Sequence, residues 1–206
     1  MNFELEFEEL DQSFDIGFEE LHNVSDGGYE RGYAAGYEEG SKEHVENIQR
    51  LFDKTITEFR YSGLTALPDY GFYQCSKLAT VFLPEVTRIG RNAFTQCAAL
   101  PRVELPKLTT IGNDAFSYCS NLQYADLGQV TSLSSWTFTS CTKLSTLILR
   151  RTTLVALPQA NAFSSSAIAN GTGYIYVADA LVDQYKAAAG WAAFASQIKP
   201  ISELPE

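Results

Sequence analysis

The chain has 206 residues, of which 45% are hydrophobic, and a formal net charge of −10. This apolar content is enough to form a core, which excludes a chain that is disordered throughout. The acidic charge argues against nucleic acid as a partner, because phosphate binding needs clustered Lys and Arg.

The acidic charge lies at the N-terminal end. Residues 1–60 carry 16 Asp or Glu and 5 Lys or Arg, whereas the rest of the chain carries 9 and 10. The asymmetry predicts two regions with different roles. The first residues lack the basic and apolar stretches of a secretory signal, and no window of about 18 apolar residues follows. We therefore expect neither a signal peptide nor membrane insertion.

Residues 1–24 contain two copies of the unit Phe-x-aliphatic-x-Phe-Glu-Glu-Leu, beginning at Phe3 and Phe14. Apolar residues alternate with acidic or small ones, as in a β-strand. An isolated pair of strands is only marginally stable in water. We therefore predict an attachment segment that pairs with another chain or with its own second copy.

Residues 25–60 combine a glycine at every fourth position with a run of apolar residues at helical spacing. Each glycine costs a helix about 1 kcal/mol relative to Ala, but glycines on one stripe let a second helix approach closely. The pattern predicts a helix that forms homo-oligomers; the alternative is a flexible Gly- and Tyr-rich linker. The predicted contact residues are Gly28, Gly32, Gly36, Gly40, Val45, Ile48, Phe52, Ile56 and Phe59.

Residues 61–168 repeat every 22 residues. Three of the repeated columns are Phe72, Phe94, Phe116 and Phe138; Cys75, Cys97, Cys119 and Cys141; and Leu78, Leu100, Leu122 and Leu144. Each repeat contains a short alternating segment typical of a strand, and a Gly/Asn-containing segment typical of a corner with one helical or 3₁₀ turn. Stacked turns bury the columns as continuous ladders.

The pattern of residues 169–206 predicts a segment that covers the open end of this stack. Tyr174–Val177 alternates like a strand, a helix follows from Asp179 to Ala189 and ends at Gly190, and Trp191, Phe194 and Ile198 have the spacing of a second short helix. The predicted fold class is therefore an α+β solenoid. It consists of leucine-rich-repeat-like 22-residue turns with short parallel strands, between an N-terminal helix and a C-terminal helical cap.

The four cysteines occupy one repeated column. Because stacked side chains in parallel register point the same way, we interpret them as buried thiols; disulfides or a zinc site are the alternatives. The two histidines, His22 and His44, have no Cys or His partner at metal-ligand spacing, and no nucleotide-binding or nucleophile motif is present. We expect no enzyme activity, no catalytic or metal-binding residues and no cofactor.

The outward strand positions vary from turn to turn, which favours a binding face, although selection for solubility alone is an alternative. Trp136 stands where the equivalent residues are Asn92 and Asp114; an exposed Trp is a favoured contact residue, but the C-terminal tail could also cover it. The predicted partner-binding residues are Thr80, Phe82, Arg102, Glu104, Tyr124, Asp126, Trp136, Thr146 and Ile148.

The segment from Val86 to Leu100 reads Val-Thr-x-Ile-Gly-x-x-Ala-Phe-x-x-Cys-x-x-Leu. This pattern resembles the BspA-type leucine-rich repeats of bacterial surface proteins and covers about residues 64–168. The last turn departs from it, because Phe138 and Phe163 are 25 residues apart and Ser166 replaces the cysteine.

The resemblance implies an adhesion or structural module that binds a protein or cell-surface glycan. The glycine run is similar to repeats of flagellar export regulators and of phage tail proteins, and no export signal is evident. We therefore expect a virion component, such as a tail or fibre protein, assembled in the host cytoplasm. The alternative is an intracellular interaction or assembly adaptor whose N-terminal region docks on a larger complex.

Overall fold

The computed structural model describes residues 54–205. In this part of the chain the backbone forms short strands connected by tight corners. The strands are β1 (Glu58–Arg60), β2 (Ala66–Leu67), β3 (Thr80–Phe82), β4 (Arg88–Ile89), β5 (Arg102–Glu104), β6 (Thr110–Ile111), β7 (Tyr124–Asp126), β8 (Thr146–Leu149), β9 (Tyr174–Val177) and β10 (Ile198–Pro200).

Successive strands pair in parallel, one turn of the chain apart. Tyr124 of β7 lies opposite Arg102 of β5 and Thr146 of β8, so the pairing register equals the 22-residue repeat. Strands β5, β7, β8, β9 and β10 form one sheet, β2, β4 and β6 a second, and β1 pairs with β3. The predicted solenoid is confirmed. Its turns are called rungs below; rungs 1 to 5 begin at residues 58, 80, 102, 124 and 146.

The phenylalanine column forms a continuous stack through the core. Ring centroids of Phe94 and Phe116 are 5.1 Å apart and those of Phe116 and Phe138 are 5.5 Å apart, with rings within 5° of parallel. All of these side chains are fully buried. The stack continues to Phe163, 6.0 Å beyond Phe138, so the longer last turn keeps the register of the column.

Pro101 interrupts the first sheet between β3 and β5. In other rungs the residue before the strand donates its backbone N–H to the preceding rung, as Gln123 does to the carbonyl of Pro101 at 2.8 Å. Pro101 has no N–H to donate, and β3 and β5 belong to separate sheets. These two rungs remain joined by ring stacking and by corner hydrogen bonds, such as that from the Phe94 N–H to the Ala115 carbonyl at 2.8 Å.

In rungs 1 to 4 each corner contains two residues with left-handed backbone geometry, whereas the corner of rung 5 contains one, Ser165. In rung 4 they are Trp136 and Ser140, with φ of 61° and 59°. The turn expected between the Phe and Cys columns is present, because the N–H of Cys97 donates to the carbonyl of Phe94 at 3.0 Å. The two left-handed residues, Asn92 before this turn and Gln96 within it, were not predicted.

The C-terminal segment covers the last rung. Val155 occupies the position at which earlier rungs accept a backbone N–H from the next rung, as Thr87 does from Thr109 at 2.8 Å. Here Trp191 Nε1 donates to the Val155 carbonyl at 2.7 Å, and the Val155 N–H donates to the Tyr185 hydroxyl at 2.9 Å. Two fully buried aromatic side chains thus replace the missing rung.

The elements of this segment match the prediction only in part. The strand at Tyr174–Val177 is confirmed. The predicted first helix is a 3₁₀ turn at Asp179–Leu181 followed by helix α1 at Val182–Ala187, and Gly190 follows at a φ of 81°. The second is a 3₁₀ segment at Ala192–Gln197. Assigning Ile198 to it was wrong, because Ile198 begins β10 and pairs with β9.

The end of the predicted oligomerisation helix is also corrected. Glu58–Arg60 forms β1, and its Phe59 lies opposite Val81 of β3. Ile56 and Phe59 are 5% and 6% exposed, and the Phe59 ring lies 4.9 Å from that of Phe72. Both side chains pack into the core of their own chain instead of lining an exposed helical stripe. The remaining residues of that prediction lie outside the described part of the chain.

The four cysteines are buried free thiols, as predicted. The thiol of Cys119 donates to the carbonyl of Phe94 at 3.0 Å, and that of Cys141 to the carbonyl of Phe116 at 3.1 Å, each reaching the preceding rung. Burial raises the pKa of Cys75 to about 11 and that of Cys141 to about 12. The column is therefore a set of neutral hydrogen-bonding groups inside the core.

Replacing Phe116 by Ala should cost about 3–5 kcal/mol of unfolding free energy, because it opens a cavity in the middle of the ring stack. Chemical denaturation of the two proteins measures the difference. An unchanged unfolding free energy would show that the column does not support the core.

The thiols should make stability fall at alkaline pH. Above the ordinary thiol pKa of 9.0 the unfolded chain loses a proton that folded Cys141 keeps until about pH 12, so unfolding becomes easier as pH rises through this window. The loss approaches about 1.4 kcal/mol per pH unit for one thiol. Denaturation of wild type and Cys141→Ala from pH 8.5 to 10.5 isolates this contribution; equal pH slopes would contradict it.

Candidate partner-binding surfaces

The outward side chains of the first strand in each rung form one surface, called the sheet face. Parallel pairing aligns alternate residues, so one row follows Arg102, Tyr124, Thr146 and Tyr174 across β5, β7, β8 and β9. Arg102 is solvent-exposed, whereas Tyr124 and Thr146 are half-buried. The parallel ladder thus brings three of the predicted contact residues, Arg102, Tyr124 and Thr146, which are 22 residues apart in sequence, onto neighbouring strands.

Arg102 contacts both an aromatic ring and a carboxylate on the sheet face. Its guanidinium lies 3.5 Å from the centre of the Tyr124 ring, and its Nε donates to Glu104 at 2.5 Å. Partial burial acts to lower the pKa of Arg102, but the hydrogen bond and charge of Glu104 outweigh it and raise that pKa. Both charged side chains remain more than half exposed, at 53% and 58%. The cation is thereby fixed in orientation yet accessible to a partner.

Tyr124 connects this group to a second ion pair. The carboxylate of Asp126 accepts from Arg150, which approaches to 2.7 Å, and from the N–H of Gly128 at 3.3 Å. Burial, followed by the negative charge of Asp126, raises the pKa of the Tyr124 hydroxyl. Tyr124 therefore keeps its phenol proton to a higher pH than a free tyrosine does.

Two predicted contact residues are not available on this face. Asp126 is 6% exposed and holds Arg150 and the Gly128 turn, so its role is structural. Ile148 is fully buried in the described fold; the register places it between Asp126 and Tyr176, which is itself 3% exposed. Strand alternation predicted that both point away from the core, but it could not predict what covers them.

Phe82 is the exposed aromatic residue at the N-terminal part of the sheet face. Its side chain is 48% exposed, and the guanidinium of Arg60 lies 5.8 Å from its ring centre. Thr80, on the same strand, is half-buried. At the other end Lys199 Nζ lies 4.2 Å from the Tyr174 ring. The Lys199–Tyr174 contact was missed, because the sequence did not predict that Ile198–Pro200 pairs with β9.

Trp136 does not belong to the sheet face. It lies in the corner of rung 4, is 44% exposed and has a φ of 61°. The C-terminal tail does not bury it, unlike the other tryptophan, Trp191, which is fully buried. Two more exposed aromatic residues, Tyr70 and Tyr118, occupy left-handed corner positions in rungs 1 and 3. Sequence reasoning missed these two.

The predicted oligomerisation residues Gly28, Gly32, Gly36, Gly40, Val45, Ile48 and Phe52 lie outside the described residues. Within residues 54–205 no helix is long and apolar enough to span a membrane. Over the same residues no group of three or more His, Cys, Asp or Glu side chains is arranged to hold a metal ion.

Comparison with known proteins places the repeat in a family. The model of the BspA type leucine rich repeat region matches residues 64–173 in six copies. No curated protein matches the chain's sequence.

Three solved structures are similar to parts of the chain. A leucine-rich repeat protein from Bacteroides ovatus shares 26% identity over 47% of this chain and 26% of its own, with a TM-score of 0.45. The pneumococcal vaccine antigen PcpA shares 14% over 70% and 40%, with a TM-score of 0.41. A leucine rich cell surface protein from Faecalibacterium prausnitzii shares 16% over 72% and 65%, with a TM-score of 0.27.

The chain spans between about a quarter and two thirds of the length of these three proteins. The family match itself covers more than half of the 206 residues and includes the stacked columns described above. The chain therefore belongs to the BspA-type leucine-rich-repeat family.

Proposed function

We propose that the chain is a non-enzymatic interaction module whose sheet face binds a partner protein. The observation that carries the proposal is the contact of the exposed Arg102 guanidinium with the Tyr124 ring at 3.5 Å. Arg, Tyr and Phe are enriched in protein interfaces, and an Arg that is already oriented loses less entropy on binding. The half-exposed Phe82 supplies an apolar contact on the same face.

The chemistry of the core supports a non-enzymatic role. A nucleophilic cysteine needs a lowered pKa, whereas burial raises the pKa of Cys97 and Cys119. Both thiols are fully buried and donate hydrogen bonds to carbonyls of neighbouring rungs. The thiols thus serve as hydrogen-bond donors that join neighbouring rungs.

The sheet-face proposal predicts a different effect for two arginines on different sheets. The fluorescently labelled 206-residue chain is first tested for binding to a panel of Gram-positive and Gram-negative bacteria, and the cells that bind it are kept. On those cells Arg102→Ser should weaken binding roughly tenfold or more, as at an interface hot spot. Arg88→Ser, at an exposed position of strand β4 in the second sheet, is the matched control and should bind like wild type. Flow cytometry measures binding, and thermal melts confirm that both variants are folded.

Protease treatment of the cells separates the partner classes. Loss of binding after treatment supports a protein partner, whereas persistent binding points to a surface glycan. Equal losses in the two arginine variants, or none in either, would refute the sheet face as the binding site.

The more specific proposal is a virion or other surface assembly in which residues 25–52 form homo-oligomers. It rests on the sequence pattern of Gly28, Gly32, Gly36 and Gly40 and on the resemblance of that run to phage tail repeats. Size-exclusion chromatography with light scattering should then give a trimer for a fibre, and Gly32→Leu should dissociate it by blocking close helix approach. A monomer at all concentrations would favour the adaptor alternative.

A further inference from the structure

Two corner columns place non-glycine residues in the left-handed region. The first holds Tyr70, Asn92, Asp114 and Trp136, with φ between 55° and 62°, and the second includes Gln96 and Tyr118 at 64° and 60°. Asn and Asp tolerate this geometry, whereas a bulky aromatic residue there is a steric outlier. Tyr70 and Trp136 thus occupy positions at which the backbone favours a smaller polar residue.

These aromatic side chains do not offset the backbone strain by packing into the core. Tyr70, Tyr118 and Trp136 are 50%, 54% and 44% exposed, which makes them three of the five exposed large hydrophobic residues in the described chain. They are called the aromatic edge below. Backbone strain that the core does not require is a feature of binding sites.

The rings are carried by a backbone that is fixed between rungs. The Ser117 hydroxyl donates to the Trp136 carbonyl at 2.7 Å, and the N–H of Tyr118 donates to the Thr139 carbonyl at 2.7 Å. Tyr118 and Trp136 lie on neighbouring rungs, whereas Tyr70 is three rungs, or about 14 Å, from Trp136 along the axis. The aromatic edge is therefore preorganised along the solenoid.

The surroundings of Trp136 are polar and lack cationic side chains. The corner segments of rungs 3 to 5, residues 112–120, 134–142 and 159–166, contain no Lys, Arg or Glu, and their one acidic residue is Asp114, whose carboxylate accepts from the Ser117 hydroxyl at 3.0 Å. Ser, Thr, Asn and Gln supply the polar groups there, for example the exposed Ser165 and the half-buried Ser140. A protein interface of standard size needs a continuous apolar centre, whereas here polar residues separate single aromatic rings.

We propose that the aromatic edge is a second binding site, distinct from the sheet face, and that its ligand is a neutral glycan. The C–H groups on one side of a sugar ring pack on an exposed aromatic ring, and the surrounding sugar hydroxyls pair with neutral hydroxyl and amide groups. A site with no Lys or Arg lacks the main source of affinity for anionic polysaccharides, which is the attraction of cationic side chains, and the carboxylate of Asp114 repels them further.

The repeat itself provides the test variants. Trp136→Asn introduces the residue found at position 92, and Tyr118→Gln the residue found at position 96, so each replacement already occurs at the same place in another rung. Trp136→Asn should fold with an equal or higher melting temperature, because Asn tolerates the left-handed geometry. Phe82→Thr, a loss of an equally exposed aromatic from the sheet face, is the matched control.

Isothermal titration of the 206-residue chain with linear gluco-, xylo- and manno-hexasaccharides measures binding, with hexagalacturonate as the charged comparison. We expect saturable binding of at least one neutral hexasaccharide, weakened tenfold or more by Trp136→Asn and by Tyr118→Gln and unchanged by Phe82→Thr. Acrylamide quenching gives a second readout, because Trp136 is exposed and Trp191 is buried; bound sugar should protect the emission of Trp136.

Absence of binding to every neutral hexasaccharide, preference for hexagalacturonate, or equal affinity of the folded Trp136→Asn variant would each overturn the proposal. A protein ligand that needs Trp136 while no saccharide binds would overturn it as well. Loss of sugar binding in Phe82→Thr alone would move the site to the sheet face. The sheet-face proposal fails separately, through the behaviour of Arg102→Ser and Arg88→Ser.

Discussion

The stacking of each rung on an identical register is the constraint on which the rest of the structure depends. A single 22-residue turn cannot bury its own apolar face; Phe116, for example, is covered by Phe94 on one side and Phe138 on the other. Burial of a large apolar side chain contributes roughly 1.5–3 kcal/mol, and that gain is available only where both neighbours are present. Each inward residue is therefore selected together with the residues above and below it.

The same register determines which polar groups the core can hold. Because equivalent atoms recur at every rung, a donor placed once finds the same acceptor again, as the Cys119 and Cys141 thiols do on the carbonyls of Phe94 and Phe116. At the last rung the periodic partner is missing, and Trp191 and Tyr185 supply side-chain groups to Val155 in its place. A residue without a side-chain donor at position 191 would leave the buried carbonyl of Val155 unpaired, which is costly.

Features that repeat could be predicted from the sequence, because periodicity reports directly on burial. This class includes the Phe, Cys and Leu columns, the parallel strands and the glycines at positions 90 and 112. The glycine recurs because the preceding rung leaves no room for a side chain: a Cβ on Gly112 would lie 2.5 Å from the backbone nitrogen of Arg91. What could not be predicted depends on contacts that occur once. Asp126 is buried where it pairs with Arg150, which is 24 residues away and replaces the proline found at the equivalent positions 84 and 106.

The left-handed corners show the limit of residue preference as a predictor. Asn92 and Asp114 are compatible with that geometry, but Trp136 at the equivalent position argues against it, so preference alone gives contradictory indications for one column. The stack resolves the conflict, because a rung with a different corner would lose its hydrogen bonds to both neighbours, such as those from Asn92 to Asn113 and from Asp114 to Ser135. The fold can therefore impose a strained conformation on an aromatic residue, and the outer surface becomes free to carry side chains that the core does not need.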